Sequence, residues 1–88
     1  MKIQFHKFFK KHYSKLTPKL KERVDIVIHK FRSNPFDPAL GNHSLKGSMQ
    51  GKRAISVTGN IRIIFEEHKN YTLVLVLDIG THSQVYGS

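Results

Sequence analysis

The sequence predicts an α+β fold in which an N-terminal helical hairpin packs on a mainly antiparallel β-sheet, in the order β-α-α-β-β-β. Apolar residues recur at helical spacing in the first third of the 88-residue chain, whereas from residue 53 onward they alternate with polar residues, as in strands. A loop rich in Pro, Asn and Ser, at residues 33–44, separates the two patterns. Helices followed by consecutive strands are typical of an α+β domain, and the length fits one domain at 1–88.

The N-terminal region is predicted to form a short strand at residues 2–5 and then two helices. The first helix, at residues 6–16, has apolar and aromatic side chains at near-helical spacing: Phe8, Phe9, His12, Tyr13 and Leu16. Thr17 and Pro18 predict the start of the second helix, because threonine caps helices and proline suits the first helical position. Its apolar stripe consists of Leu20, Val24, Val27, Ile28 and Phe31. Pro35 disfavours helical geometry at Asn34, so the second helix ends there. Because only a short connection separates the two helices, they are predicted to form an antiparallel hairpin.

The second half is predicted to form a meander of strands. Residues 53–57 and 61–66 alternate between apolar and polar side chains and are separated by a turn at 58–60. After a second turn at 68–70, residues 73–77 are apolar at every position, which predicts a strand covered on both faces. We expect Val85 and Tyr86 to add a last short strand.

The charge of the chain is strongly basic and unevenly distributed. Fifteen Lys and Arg residues oppose six Asp and Glu residues, which gives a formal net charge of +9. Residues 1–32 hold ten basic and two acidic residues, a net charge of +8, whereas the remaining 56 residues have a net charge of +1. This asymmetry indicates a polyanionic partner, which is a nucleic acid, an acidic protein segment or an anionic membrane surface. A solvated helix face is the alternative.

Several protein classes do not fit this composition. The chain contains no cysteine, which excludes disulfides and cysteine–zinc sites and is compatible with a reducing cytoplasm. The N-terminus lacks the apolar segment of a signal peptide, and the longest apolar run, at residues 73–77, is far too short to span a bilayer. We expect a soluble cytoplasmic protein, and of the three possible polyanions we predict nucleic acid and protein, not a membrane, as its partners.

Polar side chains that could perform chemistry cluster in the predicted sheet region. The sequence has no glycine-rich phosphate loop, HExxH motif or nucleophile elbow. RNA cleavage by the 2′-hydroxyl requires a base, an acid and cations, and histidine, arginine and lysine supply these without a metal or other cofactor. The tyrosine ring can stack on a nucleobase of the RNA. The candidates are His43, Lys46, Lys52, Arg53, Arg62, His82 and Tyr86.

His82 and Tyr86 are the leading catalytic candidates. His82 follows the buried strand after Gly80 and Thr81, where a histidine can be held rigidly, and Tyr86 lies four residues further on. A surface histidine in a C-terminal tail is the alternative. His43, in the loop before the first hairpin strand, is a further candidate, although a loop histidine can also simply form local hydrogen bonds.

The basic candidates are expected to bind phosphate. Arg53 and Arg62 lie on adjacent predicted strands and could form a phosphate-facing patch, or each could be a solvated strand residue. Lys46 and Lys52 flank a turn at 47–51 and could grip phosphates, or simply be solvated. No two histidines have the i, i+4 spacing of a helical ligand pair, so no metal site is predicted.

Four segments together resemble the RelE/ParE toxin superfamily, and above all the RelE/YafQ-type mRNA interferases of type II toxin–antitoxin systems. They are residues 42–47 (Asn-His-Ser-Leu-Lys-Gly), 51–53 (Gly-Lys-Arg), 57–65 and 77–87, the last containing the ending Gly-Thr-His-Ser-Gln-Val-Tyr-Gly. The helical hairpin and its exit at Asn34 and Pro35 also fit, so the resemblance covers nearly the whole chain. The C-terminal ending is its most specific part.

The resemblance implies a ribosome-dependent endoribonuclease that cleaves mRNA in the ribosomal A site without a cofactor. It also implies neutralisation by a cognate antitoxin, with a complex that often binds operator DNA and represses its own operon. The basic hairpin would contact ribosomal RNA or an acidic antitoxin segment.

The resemblance also suggests residue roles. His43 and His82 match the two histidines of the YafQ-type site, and Tyr86 matches its C-terminal aromatic residue. Arg62 and Tyr86 match the RelE-type arginine and tyrosine, and Lys46 and Lys52 approximate the RelE-type basic pair with looser spacing. The chain departs from the YafQ type at two positions, Ser56 and Asn60, where that type has a histidine and an aspartate.

Three functions are therefore open. In the leading one, an RNase toxin, His82 is a general acid or base, Tyr86 is a stacking or acid–base partner, and His43 assists. Arg53 and Arg62 would hold phosphate. The second is a ParE-like toxin that inhibits DNA gyrase without cleaving RNA, and the third is an inactive nucleic-acid-binding relative. The His82 and Tyr86 ending favours the nuclease, because a toxin that only binds needs no titrating group there.

Overall fold

The computed structural model describes residues 1–86. Within these residues the elements are β1 (Lys2–Phe5), α1 (Lys7–Ser14), α2 (Pro18–Ser33), β2 (His43–Ser44), β3 (Arg53–Ser56), β4 (Ile61–His68), β5 (Leu73–Thr81) and α3 (His82–Tyr86). Short 3₁₀ turns occur at Pro38–Leu40 and Gly47–Met49. The predicted α+β class is confirmed.

The strands form one sheet in the order β1-β5-β4-β3-β2. β1 runs parallel to β5, and the other neighbouring strands are antiparallel. The N-terminal strand therefore pairs with β5 at one edge of the sheet, and the segment between β1 and β2, which contains α1 and α2, connects the two edges. This topology brings the beginning of β2 and the end of β5 to the two flanks of β3 and β4.

Local signals set the helix bounds. The Thr17 hydroxyl accepts a hydrogen bond from the Leu20 amide at 3.2 Å, and Pro18 occupies the first position of α2, as predicted. α1 is shorter than the predicted 6–16, because the amides of Lys15 and Leu16 bond three residues back rather than four and so close the helix. The Tyr13 hydroxyl donates to Asp25 at 2.9 Å and so ties α1 to α2. This hydrogen bond, followed by partial burial and the Asp25 charge, raises the pKa of the Tyr13 phenol.

The core lies between the helices and one face of the sheet. The buried helix residues Phe9, Val24, Val27 and Phe31 meet Val57, which directly follows β3, and a set of strand residues that includes Ile55, Ile63, Phe65, Val74, Val76 and Ile79. The rings of Phe31 and Phe65 pack edge to face with centroids 4.9 Å apart. The stripe predicted for α2 is therefore the face that it buries.

Phe65→Ala is expected to lower the free energy of unfolding by about 3–5 kcal/mol, the usual cost of truncating a buried aromatic side chain. Phe65 is 1% exposed, and this loss is large beside the ~5–15 kcal/mol total stability of a typical domain. Phe8, which is 53% exposed, provides a matched Phe→Ala control. Urea denaturation measures both, and equal losses for the two variants would contradict this description of the core.

Two strand predictions are corrected. Val74 and Val76 of β5 are buried, but Leu73, Leu75 and Leu77 are only partly buried, so the strand is fully covered on one face alone. Val85 and Tyr86 do not form a strand; they belong to α3. The reason is a reciprocal cap at 81–84, in which the Thr81 amide donates to the Gln84 side chain (2.8 Å) and the Gln84 amide donates to the Thr81 hydroxyl (3.3 Å). Among the helices described, none has both the length and the apolar character needed to cross a bilayer.

Candidate active site

An open cleft of about 420 Å³ contains most of the predicted site residues. Its titratable side chains come from His43 of β2, Lys46 of the following turn, Arg62 of β4, and His82 and Tyr86 of α3. These residues span more than forty positions of the sequence, and the sheet topology is what brings them together. Leu45, Ser48 and Met49 complete the lining.

α3 places two of these side chains. The cap between Thr81 and Gln84 starts the helix directly after β5, so His82 and Tyr86 lie one helical turn apart on the same side. Their rings meet edge to face, with centroids 4.2 Å apart and planes at 79°. Gly80 pairs with Arg62 in the β4–β5 ladder, so the start of α3 lies next to that arginine.

His43 is oriented by the loop before it. Its Nδ1 lies 2.9 Å from the carbonyl oxygen of Gly41. A carbonyl can only accept, so Nδ1 carries the proton, and in the neutral ring Nε2 is left as an acceptor. Gly41 has a φ of +60°, a left-handed conformation that strongly favours glycine and turns the chain from the 3₁₀ turn into β2.

Arg62 is held by the turn between β3 and β4. Its Nη1 atom donates to the carbonyl oxygens of Thr58 (2.9 Å), Gly59 (3.2 Å) and Ile61 (3.4 Å). A guanidinium has five N–H donors, so the remaining donors can bind an anion. Arg62 is half-buried, and strand alternation places it on the face opposite Ile63 and the helices.

Two predicted phosphate ligands lie outside the cleft. Lys52 lines a neighbouring depression beside Met49 and Val85. Arg53 shares the helix-facing side of β3 with Ile55, and its Nε donates to the Asn42 side chain at 2.8 Å. The predicted patch of two arginines is therefore wrong, because Arg53 pairs with Phe65 in the β3–β4 ladder and lies on the opposite face of the sheet from Arg62.

The Arg53 contact is part of a network that fixes the loop between α2 and β2. The Asn42 side chain, whose oxygen accepts from Arg53, also donates through its Nδ2 to the Tyr71 hydroxyl and to the Pro35 carbonyl oxygen, both at 3.0 Å. Arg53 thus contributes to structure. At the two positions that depart from the YafQ-type pattern, Ser56 pairs with Arg62 across the ladder, and Asn60 lies exposed in the β3–β4 turn.

The residues that sequence reasoning missed have different kinds of signal. The Thr-x-x-Gln spacing at 81–84 is a helix-start pattern that can be found in the sequence. Met49 enters the cleft through a turn in which Gly47 has a φ of +65°, and no local pattern indicates where that turn points. A hydrogen-bonded pair between His12 and Asp78, 2.6 Å apart, joins α1 to β5 and was also not predicted.

Solved structures of several toxins have the same fold. YafQ from Escherichia coli strain BL21(DE3) superposes with a TM-score of 0.78 at 21% identity, covering 97% of each chain. The YoeB/ParE toxin from Agrobacterium tumefaciens superposes with a TM-score of 0.77 at 19% identity, covering 93% of this chain and 99% of that one. A chain of the RelBE2 toxin–antitoxin complex from Mycobacterium tuberculosis superposes with a TM-score of 0.73 at 16% identity, covering 92% of this chain and 96% of that one. These likenesses establish the fold.

Family membership rests on the sequence. No curated protein matches the chain significantly. The sequence model described as "Bacterial toxin of type II toxin-antitoxin system, YafQ" matches residues 1–87. The chain therefore belongs to the YafQ family of bacterial type II toxin–antitoxin toxins.

Proposed function

We propose that the protein is an endoribonuclease toxin that cleaves mRNA in the ribosomal A site, with the cleft around His82 as its active centre. The observation that supports this most strongly is the convergence of two histidines, an anchored arginine and a tyrosine in one open cleft. RNA transphosphorylation needs a proton acceptor, a proton donor and a cation beside the phosphate, and the histidines and the arginine can supply all three. The residues present suffice for the reaction without a metal ion.

In the proposed reaction the 2′-hydroxyl attacks the adjacent phosphorus, the P–O2′ bond forms and the P–O5′ bond breaks. His43 accepts the 2′-hydroxyl proton at Nε2, the atom that its bond to the Gly41 carbonyl leaves as an acceptor. His82, in the protonated form, donates a proton to the leaving 5′-oxygen. Arg62 and Lys46 stabilise the additional negative charge of the phosphorane. Tyr86 stacks on a base and supports the His82 ring through their edge contact.

The partners follow from charge and from the relatives. The net charge of +8 in residues 1–32 suits binding to ribosomal RNA. Solved relatives include toxins in complex with antitoxins, the RelBE2 complex among them. We therefore propose a cognate antitoxin as a second partner, which binds through an acidic segment that folds on binding. We also propose operator DNA as a target of the toxin–antitoxin complex.

The chemistry of the RNA ends tests this function. Attack by the 2′-hydroxyl leaves a 2′,3′-cyclic phosphate on the upstream fragment and a 5′-hydroxyl on the downstream one. We expect these ends on a message cut in a purified translation reaction, read by ligation with and without prior kinase treatment. Ends with a 5′-phosphate and a 3′-hydroxyl would contradict the mechanism, and an uncut message with inhibited gyrase supercoiling would favour the ParE-like alternative.

Gly80→Ala is expected to reduce cleavage by at least tenfold while leaving the core folded. A Cβ at Gly80 would lie 2.8 Å from the Gln84 side-chain oxygen, 3.1 Å from the Gln84 Cβ and 3.3 Å from a Val85 methyl group. Gln84 is held by its bond to the Thr81 amide, so α3 must shift and move His82 with it. A 1 Å misplacement of a catalytic group can cost about 100-fold in rate.

Ser83→Ala is the control, because Ser83 is an exposed residue of the same helix that does not line the cleft. Cleavage rates are compared at equal folded protein, with folding followed by circular dichroism. If Gly80→Ala cleaves as fast as Ser83→Ala, the packing of α3 on Gly80 does not position the site.

A further inference from the structure

A second polar depression lies between α2 and the β3–β4 turn. Its volume is about 290 Å³, and its polar lining is Arg23 and Lys30 of α2, Ser56, Thr58 and Arg62. Arg62 lines both this depression and the catalytic cleft, so the two are adjacent. No acidic residue in the described part of the chain lines it.

Two guanidiniums are hydrogen-bonded to main-chain carbonyl oxygens at residues 57–59. Arg23 Nε donates to the Val57 carbonyl oxygen at 3.2 Å, and Arg62 Nη1 donates to the Thr58 and Gly59 carbonyl oxygens at 2.9 and 3.2 Å. Neither arginine forms an ion pair with a carboxylate within residues 1–86. Both charges are therefore held in place by neutral acceptors while their remaining N–H groups stay available to an anion.

The hydroxyl groups complete an anion-binding lining. The Thr58 hydroxyl oxygen accepts hydrogen bonds from the amides of Asn60 and Ile61, at 3.2 and 3.1 Å, so the hydroxyl proton is available to donate. Two guanidiniums, an ammonium group and two hydroxyls can all donate hydrogen bonds, and the oxygens of a phosphodiester accept them. The two anchored guanidiniums lose little conformational entropy on binding an anion.

We propose that this depression is a second phosphate-binding subsite, which takes a phosphodiester of the same RNA strand whose scissile phosphate lies in the cleft. The assignment rests on the proposed binding of RNA in the cleft, and the shared Arg62 connects the two phosphates. Because Arg23 and Lys30 lie away from the reacting atoms, they contribute binding that is equal in the ground and transition states. Their loss raises KM and leaves kcat unchanged.

Arg23→Gln tests the subsite, and Arg32→Gln is its control, since Arg32 is an exposed arginine of the same helix that does not line the depression. The probe is a fluorescein-labelled, 2′-O-methyl RNA octanucleotide, which lacks the 2′-hydroxyl nucleophile and cannot be cut. Anisotropy titrations over a range of salt concentrations give Kd and its salt slope. Arg23→Gln is expected to weaken binding roughly tenfold, as for loss of one charge-assisted hydrogen bond, and to lower the slope by about 0.7.

A phosphate-by-phosphate substitution locates the contact. One phosphate at a time is replaced by an uncharged methylphosphonate. At one position this replacement should weaken binding to the wild type and to Arg32→Gln, but not weaken binding to Arg23→Gln any further. If Arg23→Gln and Arg32→Gln bind the whole series alike while the wild type still cleaves mRNA, the subsite is refuted and the proposed function stands. If the wild type neither binds the RNA nor cleaves mRNA, both are refuted.

Discussion

His82→Ala is expected to abolish growth arrest and mRNA cleavage while the protein remains folded. A general acid contributes roughly 100- to 10,000-fold to the reaction rate. Among residues 1–86, no other side chain that lines the cleft lies at the start of α3, so none can replace His82 as the acid. The side chain is exposed and its ring contact is with Tyr86, outside the core, so truncation is expected to cost less than about 0.5 kcal/mol of stability.

His68→Ala is the matched control. Its side chain is 52% exposed and lies at the far end of β4 from the cleft. Both variants are expressed without antitoxin, growth is followed after induction, and unfolding is measured on purified protein. Full toxicity of His82→Ala would refute its catalytic role, and an unfolded His82→Ala alongside a folded His68→Ala would show that His82 acts structurally.

Arg62→Ala is expected to reduce the cleavage rate by about 100- to 1,000-fold, which is the usual effect of removing one preorganised donor to a charged transition state. Arg62→Lys keeps the charge but loses the planar fork and its anchoring to Thr58 and Gly59, so we expect a rate between those of the wild type and Arg62→Ala. The rate is measured under single-turnover conditions at equal folded protein.

Arg53→Ala separates structure from chemistry in the same experiment. Arg53 bonds to Asn42 on the opposite face of the sheet from the cleft, so its loss should destabilise the protein by about 1 kcal/mol without changing the rate per folded molecule. A rate loss in Arg53→Ala equal to that in Arg62→Ala would contradict the placement of the two arginines.

The fold could be predicted because its signals are local. The Thr17 and Pro18 restart, the stripe of α2 and the change to alternating residues each depend on near neighbours in the sequence, and each is confirmed. The misassigned end of the chain also had a local signal, since Thr81 and Gln84 stand at capping-box spacing. The preference of Val85 and Tyr86 for strands is weak beside that cap.

The site could be predicted only in part, because it depends on strand register and on turns. Alternation alone places Arg53 with Ile55 and Arg62 opposite Ile63, so the error in pairing the two arginines could have been avoided. That Lys46 enters the cleft and Lys52 does not could not have been predicted. It depends on the turn between them, where Gly47 and Gly51 both have positive φ.

Ser56 gives the departure from the YafQ-type pattern a physical meaning. Its ladder partner is Arg62, and it lines the second depression rather than the catalytic cleft. A hydroxyl at this position can donate to a phosphate but cannot accept a proton at neutral pH as imidazole does. Proton transfer in the proposed reaction is therefore assigned to His43 and His82.

Primer extension on a translated message, after induction of the wild type or of His82→Ala, tests the nuclease assignment most directly. The wild type should cut within translated codons, should leave the same message intact when its start codon is removed, and should lose all cuts on His82→Ala substitution. An intact message in cells that the wild type has arrested, or identical cuts from His82→Ala, would contradict the assignment.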